Sequence, residues 1–118
     1  RNGIMLSIAG GLAESIDCKY LLISNHAGDH AIYPDCRENF IQAMNDAIRF
    51  GTYTNTEILA QFTNLSKREI ALLGQEIKVP FENTYSCYNG QEVHCGTCGT
   101  CTERKEALEG FDPTDYQK

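Results

Sequence analysis

Tryptophan is absent from this chain, proline occurs three times, and no stretch approaches the ~18 consecutive apolar residues that a membrane-spanning helix needs. Positive charge is also scarce. Ten Lys and Arg face sixteen Asp and Glu, leaving a net charge of −6. Phosphate binding requires a Lys/Arg excess on at least one face, so this balance argues against a nucleic-acid partner. Two basic pairs stand out locally, Lys67 with Arg68 and Arg104 with Lys105. Each lies beside Glu in a helical pattern and reads as a solvated helix face. Internal repeats and low-complexity segments are missing too. What remains is ordinary for one small globular domain: 118 residues, 42% hydrophobic and 22% charged.

Cysteine is the exception, with six in this short chain. A secreted disulfide scaffold would use that many, but their distribution points elsewhere. Cys18 and Cys36 stand apart in helix-and-strand context. The other four crowd into residues 87–101, where two-residue spacings make disulfide geometry awkward. A reducing, cytoplasmic setting with a metal site fits better. The opening RNGIMLSIAGGLAESI raises the question of a signal peptide, yet Glu14 and Asp17 bound it and its apolar residues fall in a helical stripe.

The cluster reads Cys87, Cys95, Cys98, Cys101, with Gly and Thr between the last three. Thiolates this close repel one another unless a cation holds them. For four sulfurs without competing carboxylates, that cation is tetrahedral zinc, in a closed structural site with no position for catalytic water. Gly96 and Gly99 permit the backbone angles a knuckle demands. An iron–sulfur cluster is the alternative, although no Cys-Pro follows at the expected distance. His94 would replace one sulfur in a rival ligand set, but it adjoins Cys95 and would point away from the same ion.

Along the chain, Ile4, Leu6, Ile8, Leu12 and Ile16 predict an amphipathic helix. Gly10 and Gly11 weaken that helix, and a close approach to another element would explain them. Residues 20–24, YLLIS, read as a buried strand. Residues 36–50 read as a helix burying Phe40, Ile41, Met44, Ala47 and Ile48, with Gly51 closing it. Residues 57–62 suit a second strand, and Ser66 with Glu69 forms a capping box that opens a helix through Ile70, Leu72 and Leu73. After the cysteine loop comes a helix from about 100 to 108, then a tail over 111–118. This alternation predicts α/β architecture with a parallel sheet. Two short strands cannot form such a sheet alone, so upstream strands or a partner should complete it.

A second constellation is Tyr33-Pro34-Asp35-Cys36-Arg37 with Phe40. Asp35 is placed to cap the following helix, which accounts for the run structurally. The same residues also offer a helix-terminal thiol, whose pKa would fall, beside an arginine that can hold an anion. His26 and His30 flank a loop after the first strand, where ligands of open α/β sheets lie, but no third ligand shares their spacing. Asn2 either caps the first helix or touches an anion together with Arg1.

Taken together, these pieces resemble the C-terminal half of the 7-cyano-7-deazaguanine synthase family (QueC, also called ExsB). The resemblance rests on Arg1-Asn2, the block at 33–37 with Phe40, Leu65-Ser66-Lys67, Ser86-Cys87-Tyr88, the knuckle Cys95-Cys98-Cys101, and Asp112-Pro113 with Tyr116. It spans nearly the whole chain with the order kept. It implies an α/β fold, the C-terminal part of an adenine-nucleotide alpha-hydrolase-like, Rossmann-like parallel sheet with a four-cysteine zinc knuckle. Residues 1–84 would form part of the nucleotide-activating domain, 85–110 the zinc knuckle and closing helix, and 111–118 the tail.

The implied activity is an ATP-dependent ligase of queuosine biosynthesis. It would turn 7-carboxy-7-deazaguanine and ammonia into 7-cyano-7-deazaguanine, and the resemblance also implies a homodimer, without nucleic acid or membrane. The family's zinc ligands carry over to Cys87, Cys95, Cys98 and Cys101. Asp35, Cys36 and Arg37 would line the deazaguanine side of the pocket. The family's Ser-Gly-Gly-x-Asp-Ser phosphate loop does not occur in this sequence, and Gly10-Gly11 lacks the Asp-Ser that would follow. The expectation is therefore a fragment, a split subunit or part of a longer protein, inactive alone, with zinc as a rivet that pins 86–88 to the closing helix. A noncatalytic zinc assembly module from the same family is the alternative, and a tRNA-thiolating relative is a third, disfavoured by the acidic balance.

Overall fold

The computed structural model describes residues 1–117, which fall into two compact units, 1–66 and 67–117. In the first, helix α1 (Asn2–Ser15) leads to strand β1 (Tyr20–Leu22), helix α2 (Glu38–Gly51) and strand β2 (Glu57–Leu59). The strands pair in parallel with Leu21 opposite Ile58, so β1, α2 and β2 make one crossover unit. The α/β reading holds in this form, as a two-stranded parallel sheet.

Leu6 of α1, Ile41 and Ile48 of α2, and Ile58 of β2 form the buried core, with Leu21, Ile23, Phe40 and Met44 packed around it. Ile41 and Ile48 sit two turns apart on one helix face, as the periodicity predicts, while Ala47 is exposed. Two side chains finish the strands. Asn45 Oδ1 accepts from the Ile58 N–H at 2.6 Å, taking a ladder donor on the outer side of β2. Thr56, fully buried, donates its hydroxyl to the Cys18 carbonyl at 2.9 Å.

The first helix inverts its predicted face. Leu6, Gly10 and Ala13 point inward, while Ile4, Ile8, Leu12 and Ile16 are each at least 60% exposed. Packing density decides this. A Cβ on Gly10 would stand 3.2 Å from Ile48 Cδ1, so the helix comes close along its small residues rather than its large ones. The close-approach explanation thus fits Gly10 and not Gly11, which has open space around it.

Both strands are shorter than predicted. The first ends at Leu22, which is 74% exposed, so it is not a buried strand. The second stops at Leu59 because Ala60 turns, its carbonyl accepting from the Thr63 hydroxyl at 2.9 Å. Nor does Gly51 act as a left-handed cap: it is the last residue of α2, and Thr52 continues extended.

In the second unit, helix α3 (Lys67–Glu76) starts directly after Ser66, where the capping box puts it. It ends in a left-handed Lys78 and the Val79 N–H bonded to the Gly74 carbonyl at 2.8 Å. Helix α4 (Gly99–Ala107) packs against α3 through Ala71, Ala107 and Leu108, with Phe81 and Phe111 at the margins. Residues 111–117 are held in place. Tyr116 bridges to His94, and the Gln117 N–H donates to the His94 carbonyl at 2.8 Å; the last residue of the expected tail lies outside the described residues. No helix is long and apolar enough to cross a membrane among the described residues.

Candidate metal centre

The four clustered cysteines converge as the spacing predicts. The sulfurs of Cys87, Cys95, Cys98 and Cys101 all lie within 4.8 Å of one another. Cys95 and Cys101 are 3.9 Å apart. A tetrahedron with ~2.3 Å zinc–sulfur bonds has edges of ~3.8 Å, so the cluster fits that ion with little adjustment. None of the six cysteines is in a disulfide.

Local chain geometry aims the sulfurs. Gly96 takes φ +75°, and the Thr97 and Cys98 N–H groups then both donate to Cys95 Sγ, at 3.4 and 3.3 Å. Cys87 Sγ accepts from the Asn89 and Cys95 N–H groups, each at 3.4 Å. Donors pointed at sulfur favour the thiolate. The Thr100 hydroxyl and the Tyr88 and Cys101 amides bring Cys98 down to about 5. The Thr97 and Cys98 amides bring Cys95 down to about 7. Burial pushes Cys101 up to about 12, since its side chain is wholly enclosed. Four sulfurs within 4.8 Å of one another, two of them accepting backbone N–H groups, are a donor set that could hold a metal ion. Gly99 plays no such backbone role. It is the first residue of α4, with open space around it.

His94 does not converge with the four sulfurs. Its Nε2 accepts from the Ser86 N–H at 3.0 Å, and its ring packs 4.6 Å from Tyr85 and edge-on to Tyr116. It ties the 85–86 segment to the closing residues of the chain. Arg104 is the larger surprise, because a solvated helix face was expected. Spaced three residues from Cys101 on α4, it turns inward and is 8% exposed. Its guanidinium donates to the Phe81 carbonyl at 2.8 Å, Ser86 Oγ at 3.1 Å and Thr114 Oγ1 at 2.8 Å. Lys67 and Arg68 are engaged too, Lys67 with Glu103 and Arg68 with the Ala107 and Glu109 carbonyls. The Asp112-Pro113 motif belongs to the same scaffold. Asp112 accepts from the Thr114 N–H at 3.0 Å and the Tyr116 hydroxyl at 2.7 Å. Only the i, i+3 relation to Cys101 hinted at Arg104.

In the first unit, the 33–37 block departs from its predicted geometry. Pro34–Cys36 is a separate 3₁₀ turn, and α2 begins at Glu38 without a side-chain cap. Asp35 caps α1 instead. Its Oδ2 accepts from the Asn2 N–H at 2.9 Å and the Arg1 amine at 3.1 Å, while Asn2 Nδ2 returns a bond to the Asp35 carbonyl. The Asn2 bond draws the Asp35 carboxyl below its usual range. Cys36 is not an activated thiol. Burial, then the charges of Asp29 and Asp35, push it up. Arg37 is exposed, with one N–H on the His30 carbonyl at 2.7 Å. His26 caps the turn Ala27–Asp29 and contacts Asp29 at 3.2 Å; neither it nor His30 joins the cysteines.

A family profile described as "Queuosine biosynthesis protein QueC" matches residues 1–112. A 7-cyano-7-deazaguanine synthase of Porphyromonas gingivalis (strain ATCC 33277) is 51% identical over 120 residues, covering 99% of this chain and 54% of the relative. Enzymes of the same name from Desulfotalea psychrophila and Caldicellulosiruptor bescii are 48% and 42% identical, covering 98% and 99% of this chain. In both, 54% of the relative's length is matched, so the chain spans about half of these relatives. A match of this depth across almost every residue places the chain in the QueC family of queuosine biosynthesis proteins.

Proposed function

We propose that this chain is the zinc-bearing part of an ATP-dependent ligase that converts 7-carboxy-7-deazaguanine and ammonia to 7-cyano-7-deazaguanine. The observation that carries the reading is similarity to enzymes of that name over 99% of the chain. Within the complete enzyme, ATP would activate the carboxylate, ammonia would displace AMP to give an amide, and a second activation would permit dehydration to the nitrile. The fold would be the C-terminal part of an adenine-nucleotide alpha-hydrolase-like sheet, acting as a cytoplasmic homodimer.

Zinc, one ion per chain, would be held by Cys87, Cys95, Cys98 and Cys101. With all four positions filled by sulfur, its contribution is structural. The chain's own residues then set the frame. The cysteines tie residues 86–88 to the start of α4. Asp35, Cys36 and Arg37 would line the deazaguanine side: Asp35 Oδ1, which accepts only a weak bond from the Cys36 thiol at 4.0 Å, could also accept from an amidine edge, and exposed Arg37 can meet a carboxylate. The phosphate loop is not in this sequence, so the chain alone should bind zinc without turning over ATP.

Co-expression with the remaining half of a Porphyromonas gingivalis relative tests this directly. Nitrile formation in the mixture, and none by either piece, is the expected result. Zinc binding and assembly without any nitrile would favour the noncatalytic module. ATP turnover by the isolated chain would refute the assignment of inactivity.

A further inference from the structure

The four clustered sulfurs differ in access. Cys87, Cys95 and Cys101 are buried, and Cys101 is wholly enclosed, whereas Cys98 is only half-buried. Cys98 stands at the N-cap of α4, with its Sγ 3.2 Å from the Thr100 hydroxyl. A small oxidant arriving from solvent therefore meets Cys98 first. Oxidation of cysteine follows exposure, and it goes on to a disulfide where a second sulfur stands close by.

By distance, any of the other three could be that second sulfur, since all four lie within 4.8 Å of one another. Chain geometry selects among them. Cys95 and Cys101 stand on either side of Cys98 with two residues between, a spacing that makes disulfide geometry awkward. Cys101 is also fixed inside α4, and Cys95 Sγ is gripped by the Thr97 and Cys98 N–H groups and the Thr97 hydroxyl. Cys87 comes from a separate segment, and the N–H of its neighbour Tyr88 donates toward Cys98 Sγ. The accessible sulfur thus lies against the backbone that carries Cys87.

We propose that Cys98 is a peroxide-oxidation site resolved by Cys87, so that a disulfide replaces zinc as the tie between residues 86–88 and the start of α4. The Cys98 thiolate attacks hydrogen peroxide: an S–O bond forms, the O–O bond breaks, and the departing hydroxide takes a proton and leaves as water. The Cys87 thiolate then attacks the Cys98 sulfur. An S–S bond forms, the S–O bond breaks, and hydroxide again leaves as water on taking a proton. Two thiolates give up two electrons in all, and one peroxide is reduced to two waters. Only Cys95 and Cys101 then remain as thiolate donors, half of what a closed zinc site needs, and the ion is released. The inference rests on the cluster alone and is independent of the synthase reading.

The test treats the zinc-loaded 118-residue chain with hydrogen peroxide in equimolar steps, in a Cys18→Ser background that removes the exposed free thiol. Intact mass, peptide mapping and a chromogenic zinc chelator are the readouts. Loss of two hydrogens, a cross-linked Cys87–Cys98 peptide and zinc release in step with it are expected, all reversed by dithiothreitol. In Cys87→Ser, Cys98 should stall as a sulfenic acid that dimedone traps. If that variant fails to fold, the peptide map of the parent chain still decides. Resistance to peroxide, a different cysteine pair, or a cross-link with zinc retained would overturn the proposal. Failure to take up zinc would overturn it at the outset, whereas absence of nitrile in the co-expression test leaves it standing.

Discussion

Gly74 and Gly11 both sit inside helices, yet they should respond oppositely to alanine. A Cβ on Gly74 would lie 2.6 Å from Phe81 Cζ, inside the packed face between α3 and the following turn. Gly74→Ala should therefore cost about 1–3 kcal/mol. Gly11 has nothing within 4 Å, and alanine there should stabilise by about 0.4–1 kcal/mol through the unfolded chain. Denaturant midpoints of the two variants decide it; a neutral Gly74→Ala would show that the ring moves aside freely. Asp35 offers a pH signature at the same scale. Its carboxyl is lowered by the Asn2 N–H, so its stabilising effect is full above the ordinary ~3.9 and fades as pH falls through the lowered folded value. Carbon-detected titration should find Asp35 below that figure, and Asp35→Asn should flatten the acid limb of the stability curve. The cysteines were legible because spacing alone constrains metal ligands. Arg104, His94 and Asp35 were not, because their roles depend on partners distant in sequence.

Periodicity recovered every α-helix at element scale, and the errors lie in what the helices face. In α1 the large residues look outward because Gly10 admits Ile48 closely, a preference invisible to a hydrophobic stripe. The cysteine loop behaves differently, since its order depends on a centre rather than on a face. Residues 86–98 contain no α-helix, and short bonds to sulfur replace a backbone ladder. Metal removal should consequently dissolve this element first. On chelation, amide exchange should rise sharply over 86–117 while Ile41, Ile48 and Ile58, in the core of the first unit, keep their protection. Cys98→Ala should lose zinc and this protection together. Retained protection in a metal-free Cys98→Ala chain would refute the rivet.

Taken whole, the chain carries more exposed apolar surface than its small cores explain. Ile4, Ile8, Leu12 and Ile16 run along α1, and Leu22 and Tyr20 stand out from β1. The ladder adds a second open feature. Lys19 and Ile23 bond toward β2, at 2.9 and 3.0 Å, so the alternate residues Tyr20 and Leu22 turn their backbone groups to the other edge, where no described strand lies. The sequence anticipated this incompleteness from the number of strands, although it could not name the face, because that depended on which side of α1 packs inward. Contiguous apolar surface of this kind binds hydrophobic dyes and favours self-association. Ile8→Lys, on a side chain 70% exposed, should leave stability within about 0.5 kcal/mol while reducing both dye fluorescence and concentration-dependent sedimentation. A large loss of stability would mean that Ile8 is buried in solution, and the outward face assigned to α1 would then be wrong.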